Sequence, residues 1–234
     1  MSLEYICKGQ GKALLFLHGY LSCKESFINQ INYFSKFYTV YAVDLSGFGK
    51  NPPLTKPYSL DDYILDLLLF IKEKNIKNFD IIAHSFGVRL VLKSQELRSL
   101  ADKLVFTGGA GLKPKRSIKY YFKVYLYKLL KRLCPNSKRL NSFGSKEYKN
   151  LPLINKQSYV KIVNEHLDYT LTNIKNKTLI INGTLDSTTP KYMAKKMHKY
   201  VKGSVLIFIK DAGHFAFIDK ANAFNIIVKD FLLK

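Results

Sequence analysis

Tryptophan is absent from the 234-residue chain, and cysteine is scarce. The three cysteines are scattered, with no CxxC pair, which argues against a disulfide framework or a zinc site and favours a reducing compartment. No run of about 18 apolar residues is present. The N-terminal stretch MSLEYICKGQGKALLFLHGY lacks the basic-then-apolar order of a signal peptide. We therefore expect a cytoplasmic protein without a metal, a cofactor or a membrane span.

Acidic residues are also few, 17 against 38 basic ones, which gives a formal net charge of +21. Such an excess indicates either a lysine-rich solvated surface or an attraction to anionic partners. Much of it lies between Lys113 and Lys149, where every charged residue except Glu147 is basic. No nucleic-acid recognition motif accompanies the charge, so nucleic acid is not expected as a partner. Peripheral contact of this segment with an anionic membrane stays open as the less favoured reading.

Apolar runs alternate with helical patterns along most of the chain. Runs at 13–18, 38–44, 79–83, 103–109, 178–183 and 204–209 predict six strands. Helix starts are indicated by the capping pattern at Ser59 and by Thr189-Pro190, and a last helix is expected at about 221–232. This alternation predicts an α/β fold with a mostly parallel central sheet flanked by helices.

Residues 112–176 depart from the alternation because they show helical spacing and no strand pattern. We therefore predict a helical cap at 112–176, inserted into a core formed by 1–111 and 177–234. Aromatic residues are frequent in its first helical stretch, which we expect to form a lid whose apolar face covers the site. The residues predicted to contact substrate there are Tyr121, Phe122 and Tyr125.

A serine stands where the third apolar run ends and a helical pattern begins. Ligands of open α/β sheets bind beyond the carboxyl ends of the strands, and Ser85 lies at such an end. Ala83 and Gly87, two positions to either side, are small enough for a sharp turn. The stretch Ala83-His84-Ser85-Phe86-Gly87 resembles the G-x-S-x-G nucleophile elbow of the α/β-hydrolase fold superfamily, with alanine for the first glycine.

The resemblance implies an acid and a histidine after later strands, in the order nucleophile, acid, histidine. Asp186, in GTLDSTTP, and His214, in DAGHF, stand in those places. Histidine exchanges protons near neutral pH and suits the role of base, while the acid orients it. Asp211 is a weaker alternative for the acid.

The resemblance also implies an oxyanion hole made of two backbone N–H groups. One belongs to Phe86, directly after the nucleophile, and the other to Tyr20, in the H-G-x stretch His18-Gly19-Tyr20.

These features imply a serine hydrolase that cleaves a carboxylic ester or thioester of small to medium apolar acyl or aryl groups through an acyl-enzyme on Ser85. Serine as nucleophile argues against dehalogenases and epoxide hydrolases of this fold, which use aspartate. Val88 stands where carbon–carbon hydrolases of the fold tend to carry another glycine, which makes that reaction less favoured. Acyl transfer and ligand binding without turnover stay open as alternatives.

Overall fold

The computed structural model describes residues 3–134, 137, 148 and 151–234. Among these residues, one seven-stranded sheet has the order β1-β3-β2-β4-β5-β6-β7. The β1–β3 pair is antiparallel and the remaining pairs are parallel, which confirms the predicted α/β class. The strands are β1 (Tyr5–Lys8), β2 (Ala13–Leu17), β3 (Thr39–Val43), β4 (Phe79–His84), β5 (Ala101–Thr107), β6 (Lys177–Gly183) and β7 (Val205–Ile209).

Helices cover both faces of the sheet because successive strand residues point to opposite sides. The helices are α1 (Ile28–Phe34), α2 (Leu60–Glu73), α3 (Phe86–Lys93), α4 (Gln95–Leu100), α5 (Ile118–Leu133), α6 (Leu153–Asn164), α7 (Lys191–Tyr200), α8 (Ala216–Asp219) and α9 (Ala221–Leu233). In β2, Leu15 and Leu17 join the core beneath α2, α3, α4 and α7, whereas Leu14 and Phe16 join the core beneath α1, α8 and α9.

The predicted capping pattern at Ser59 is present as a reciprocal box. The backbone N–H of Ser59 donates to the Asp62 carboxylate at 2.8 Å, and the N–H of Asp62 donates to the Ser59 hydroxyl at 3.3 Å. Two N–H groups at the helix end are thereby satisfied. The box fixes the start of α2, whose Tyr63 side chain reaches the core near the site.

The described part of 112–176 contains no strand. It consists of α5, α6 and a 3₁₀ turn at Asp168–Asn173, and its status as a separate cap stays a prediction. The Arg89 guanidinium, on α3, donates to the carbonyls of Ile162 and Glu165 at 2.9 and 3.0 Å. A cation at the C-terminal carbonyls of a helix is favourable, so Arg89 fastens α6 to the core.

The structure differs from the sequence analysis at two local features. β1 was not foreseen, because a four-residue edge strand with two exposed residues carries no apolar run. The helix predicted to begin at Pro190 begins at Lys191 instead, and Thr189 does not cap it. Instead of capping the helix, Thr189 donates both its hydroxyl and its N–H to the Asp186 carboxylate. Within the described ranges, no helix is long and apolar enough to cross a membrane.

Candidate active site

Ser85 occupies the tight turn between β4 and α3 that the sequence predicts. Its φ of 48° and ψ of −100° are costly for a residue with a Cβ atom. Two hydrogen bonds hold the turn: the Ser85 N–H donates to the carbonyl of Thr107, and the Gly87 N–H donates to that of His18, each at 3.1 Å. A Cβ atom at Gly87 would lie 2.5 Å from the Leu17 carbonyl oxygen, so the close approach to β2 requires glycine there.

The predicted acid and histidine lie side by side at the carboxyl ends of β6 and β7. His214 Nδ1 is 2.9 Å from Asp186 Oδ2. The buried carboxylate also accepts the N–H groups of Thr188 and Thr189, at 2.9 and 2.8 Å, and the Thr189 hydroxyl at 2.7 Å. Burial by itself would raise the pKa of Asp186, but the hydrogen bonds from His214 and Thr189 outweigh it and hold that pKa below its ordinary value. Asp186 is therefore ionised at neutral pH.

The imidazole of His214 lies against the turn that follows β5. Gly108, with a φ of 53°, would carry a Cβ atom only 3.0 Å from His214 Cε1. The preceding residue, Thr107, accepts the N–H of Ser85, so the nucleophile turn and the imidazole meet at the end of the same strand.

His84 contacts the same imidazole and the backbone of His214. The two ring centroids are 4.7 Å apart, and His84 Nε2 lies 3.1 Å from the carbonyl oxygen of His214. Burial lowers the pKa of His84 to about 3, so the ring is neutral and its Nε2–H donates to that carbonyl.

The two segments predicted to supply the oxyanion hole are adjacent. Phe86 is the first residue of α3, where N–H groups have no intrahelical acceptor, and the Gly87–His18 hydrogen bond fastens the Tyr20 loop to that helix end. His18 is fully buried and its Nε2 accepts the Leu45 N–H at 2.9 Å, so Nδ1 carries the proton and donates to the Gly19 carbonyl at 2.7 Å. Burial lowers the pKa of His18 to about 4.

Aromatic rings surround the side chain of Tyr20. Its ring centroid lies 5.0 Å from that of Phe48, 5.5 Å from Phe86 and 5.2 Å from Tyr159 on α6. The Tyr20 hydroxyl donates to the carbonyl of Asn155 at 3.2 Å, and burial raises the pKa of Tyr20 to about 12. Sequence reasoning missed Asn155 and Tyr159. Their four-residue spacing places them on one helix face, but it does not say which element that face meets.

A sequence model of the family described as alpha/beta hydrolase fold matches residues 12–133, more than half of the chain. The chain belongs to the α/β-hydrolase fold family. A second model, described as TAP-like protein, matches residues 157–234. At the level of the superfamily, this protein is a hydrolase.

Individual relatives agree with this assignment. The human protein named serine hydrolase BPHL is 26% identical, over 99% of this chain and 83% of its own length. The esterase from Exiguobacterium antarcticum superposes with a TM-score of 0.80 at 21% identity, over 99% of this chain and 96% of that one. A meta-cleavage product hydrolase from Pseudomonas fluorescens has a TM-score of 0.75 at 21% identity, over 98% and 93% of the two chains. At these identities, the two structural likenesses establish the fold alone.

The predicted lid residues of this α/β hydrolase face solvent. Tyr121, Phe122 and Tyr125 are 59%, 67% and 64% exposed, so the expectation that the apolar face of α5 covers Ser85 is not met. The helix of the predicted cap that contacts the Tyr20 loop is α6. A role for the three residues in substrate binding stays a prediction.

One group of side chains in the described part of the hydrolase has the chemistry of metal ligands. Cys23, Glu25 and Asp44 place ligand atoms within 4.8 Å of one another. However, the buried ammonium of Lys24 binds the Asp44 carboxylate and lies 3.5 Å from that of Glu25. The Asp44 carboxylate also accepts the N–H of Lys50 at 2.9 Å. The Lys24 ammonium thus offsets one of the two carboxylate charges, and both Asp44 oxygens already accept hydrogen bonds from Lys24 or Lys50.

The two buried histidines make the stability of this hydrolase depend on pH. Their pKa values, about 4 for His18 and about 3 for His84, lie below the value of an unfolded histidine. Below about pH 6.5 these histidines become protonated in the unfolded chain but stay neutral in the folded protein. As the pH falls from 7 to 5, each histidine therefore lowers the free energy of unfolding by about 2 kcal/mol. Urea titrations at the two pH values should show a fall of about 4 kcal/mol.

Two substitutions separate this effect from other titrations. His18→Gln should reduce the fall to about 2 kcal/mol, because one of the two groups is removed. His84→Gln should reduce the fall by a similar amount, because it removes the other buried histidine. An equal fall in His18→Gln and wild type would contradict the assignment to buried histidine.

Proposed function

We propose that the protein is a serine hydrolase that cleaves carboxylic esters or thioesters of small to medium apolar acyl or aryl groups through an acyl-enzyme on Ser85. The observation that carries the proposal is the 2.9 Å contact between His214 Nδ1 and the ionised Asp186, beside the strained turn of Ser85. With Nδ1 held as a donor, Nε2 is the nitrogen that accepts the serine proton.

In the proposed reaction, each of these residues has a distinct role. His214 Nε2 takes the proton of the Ser85 hydroxyl as its oxygen attacks the acyl carbon, and Asp186 stabilises the imidazolium that forms. The N–H groups of Phe86 and Tyr20 donate to the oxyanion of the tetrahedral intermediate, each worth about 3–4 kcal/mol of barrier. When the ester or thioester bond breaks, the imidazolium protonates the departing alcohol or thiol. Water, deprotonated by His214, then releases the acid and restores Ser85.

The preference for apolar groups rests on the rings around the oxyanion loop. Tyr20, Phe48, Phe86 and Tyr159 form an aromatic cluster beside the nucleophile, and Tyr63 extends it at 5.0 Å from the ring of Phe86. Phe48, Phe86 and Tyr63 are buried in this cluster. Tyr20 and Tyr159 are half-buried, so their rings are the ones that a substrate can contact, and aromatic side chains suit apolar acyl or aryl groups. A wholly polar acyl group would lose its hydration there without new hydrogen bonds.

A fluorophosphonate probe tests the covalent step, because it phosphonylates an activated serine. We expect one adduct per chain by intact mass, located on the peptide that contains Ser85. Ser85→Ala should give none, and Ser187→Ala, at an exposed serine of the acid loop, should label as wild type does. Equal labelling of wild type and Ser85→Ala would contradict the proposed nucleophile.

A further inference from the structure

An apolar stripe on α5 points away from the body of the protein. Its members recur at three- and four-residue spacing and are between 39% and 89% exposed. On the other side of the helix, Val124, Tyr127 and Leu130 are half-buried. We call the stripe the outer face of α5; it consists of Ile118, Phe122, Tyr125, Leu126, Leu129 and Leu133.

Basic residues flank the outer face, and no acidic residue lies nearby in sequence. Every charged residue from Lys113 to Arg132 is a lysine or arginine. Lys123, Lys128 and Arg132 are exposed, and helical geometry places them at the borders of the outer face. An amphipathic helix with an apolar face and basic flanks is the pattern of helices that lie in a membrane interface.

The charges decide between the possible occupants of this surface. A second copy of the chain would bring two basic helices together, and like charges oppose that contact. A polyanion such as nucleic acid would satisfy the cations but would leave the apolar residues in water. An anionic lipid surface satisfies both, because acyl chains accept the apolar residues and headgroups pair with the cations.

We propose that α5 docks the protein on anionic membranes, with its outer face inserted at the boundary of headgroups and acyl chains. α5 is the next helix after β5, whose carboxyl end holds the Ser85 turn, so the chain leaves that end of the sheet and continues into the docking helix. The proposal does not depend on the proposed reaction, since docking uses none of the catalytic residues.

Co-sedimentation with vesicles tests the docking. The full chain carrying Ser85→Ala, which cannot alter the lipid, is mixed with vesicles of phosphatidylcholine alone or of phosphatidylcholine with phosphatidylserine. We expect binding to the second kind only, with a loss of binding in about 1 M salt, where screening extends to about 3 Å. Equal binding to both kinds, or binding to neither, would overturn the proposal.

Two sets of variants identify the surface. Lys123→Gln, Lys128→Gln and Arg132→Gln together should weaken binding about a hundredfold, at about 1 kcal/mol per cation. Phe122→Gln with Leu133→Gln should weaken it by a similar factor, because two exposed apolar side chains no longer enter the lipid.

Matched substitutions elsewhere on the surface serve as controls. Lys36→Gln, Lys77→Gln and Lys202→Gln remove the same charge, and Leu65→Gln with Ile226→Gln removes exposed apolar side chains. Neither set should reduce binding. If the charge variants weaken binding and the apolar variants do not, the surface binds polyanions and membrane insertion is excluded. A dimer in sedimentation equilibrium that Phe122→Gln dissociates would instead identify a second copy as the occupant.

Discussion

Ser85→Ala is expected to lower kcat toward p-nitrophenyl butyrate by about a millionfold, the loss typical of removing the nucleophile from a serine triad. Without the hydroxyl oxygen, no acyl-enzyme forms. What remains is the acceleration that the oxyanion N–H groups and substrate binding give to direct attack by water, about 10³–10⁴-fold over the uncatalysed reaction.

The structure makes alanine a suitable replacement. The positive φ of Ser85 burdens any residue with a Cβ atom, and alanine adds no further strain to the turn. The hydrogen bonds that hold the turn come from backbone groups, so the fold and its thermal midpoint should be unchanged.

Comparison of the wild-type rates on p-nitrophenyl acetate, butyrate and octanoate shows which acyl chain length the site prefers. Ser187→Ala is the matched control and should keep the wild-type rate. Retention of even a tenth of the rate in Ser85→Ala would refute Ser85 as nucleophile. A wild type as slow as Ser85→Ala on all three esters, yet labelled at Ser85 by the fluorophosphonate, would point to a different substrate class.

Asp186→Asn should lower kcat by about 10⁴-fold with little loss of stability. Asp186 Oδ1 accepts two backbone N–H groups, at 2.9 and 2.8 Å, and only an oxygen can take that place. The amide nitrogen of asparagine must then replace Oδ2 and donate to His214 Nδ1. His214 is thereby forced into the tautomer with its proton on Nε2, which cannot accept the proton of Ser85.

The pH profile distinguishes this cause from a general disturbance. At high pH, where hydroxide assists deprotonation, the variant should recover part of its rate, whereas a misfolded site would not. Asp211→Asn, three residues before His214 and on the same loop, is the matched control and should retain at least half of the wild-type kcat. If Asp211→Asn were the more damaging change, the acid would be Asp211.

The sequence predicts the nucleophile turn well because its chemistry is local. A turn this sharp needs small neighbours, and Gly87 meets the Leu17 carbonyl at a distance that no side chain tolerates. Likewise, the acid and histidine loops follow apolar strands whose parallel order brings their ends to one edge of the sheet. Each of these features therefore has a recognisable sequence pattern at a fixed position in the chain.

Other features depend on contacts between elements that are distant in sequence, and no local sequence pattern predicts them. The pairing of β1 with β3 is decided by backbone hydrogen bonds at the sheet edge, available to almost any sequence. The helical spacing of α5 indicates a stripe but not whether the stripe faces the core or solvent. The contact of Tyr159 with Tyr20 joins residues far apart in sequence, so no local pattern predicts it.

Arg89 has a mechanical consequence for access to the site. It stands on α3, the helix whose first turn carries the Phe86 N–H, and it grips the C-terminal carbonyls of α6. Burial lowers the pKa of Arg89 to about 10, so its guanidinium remains charged at neutral pH. Swinging α6 away would break both hydrogen bonds of this cation, and a hydrogen bond to a charged group contributes about 1.5–3 kcal/mol. We therefore expect α6 to stay in place during turnover, so that a substrate has to reach Ser85 without displacing this helix.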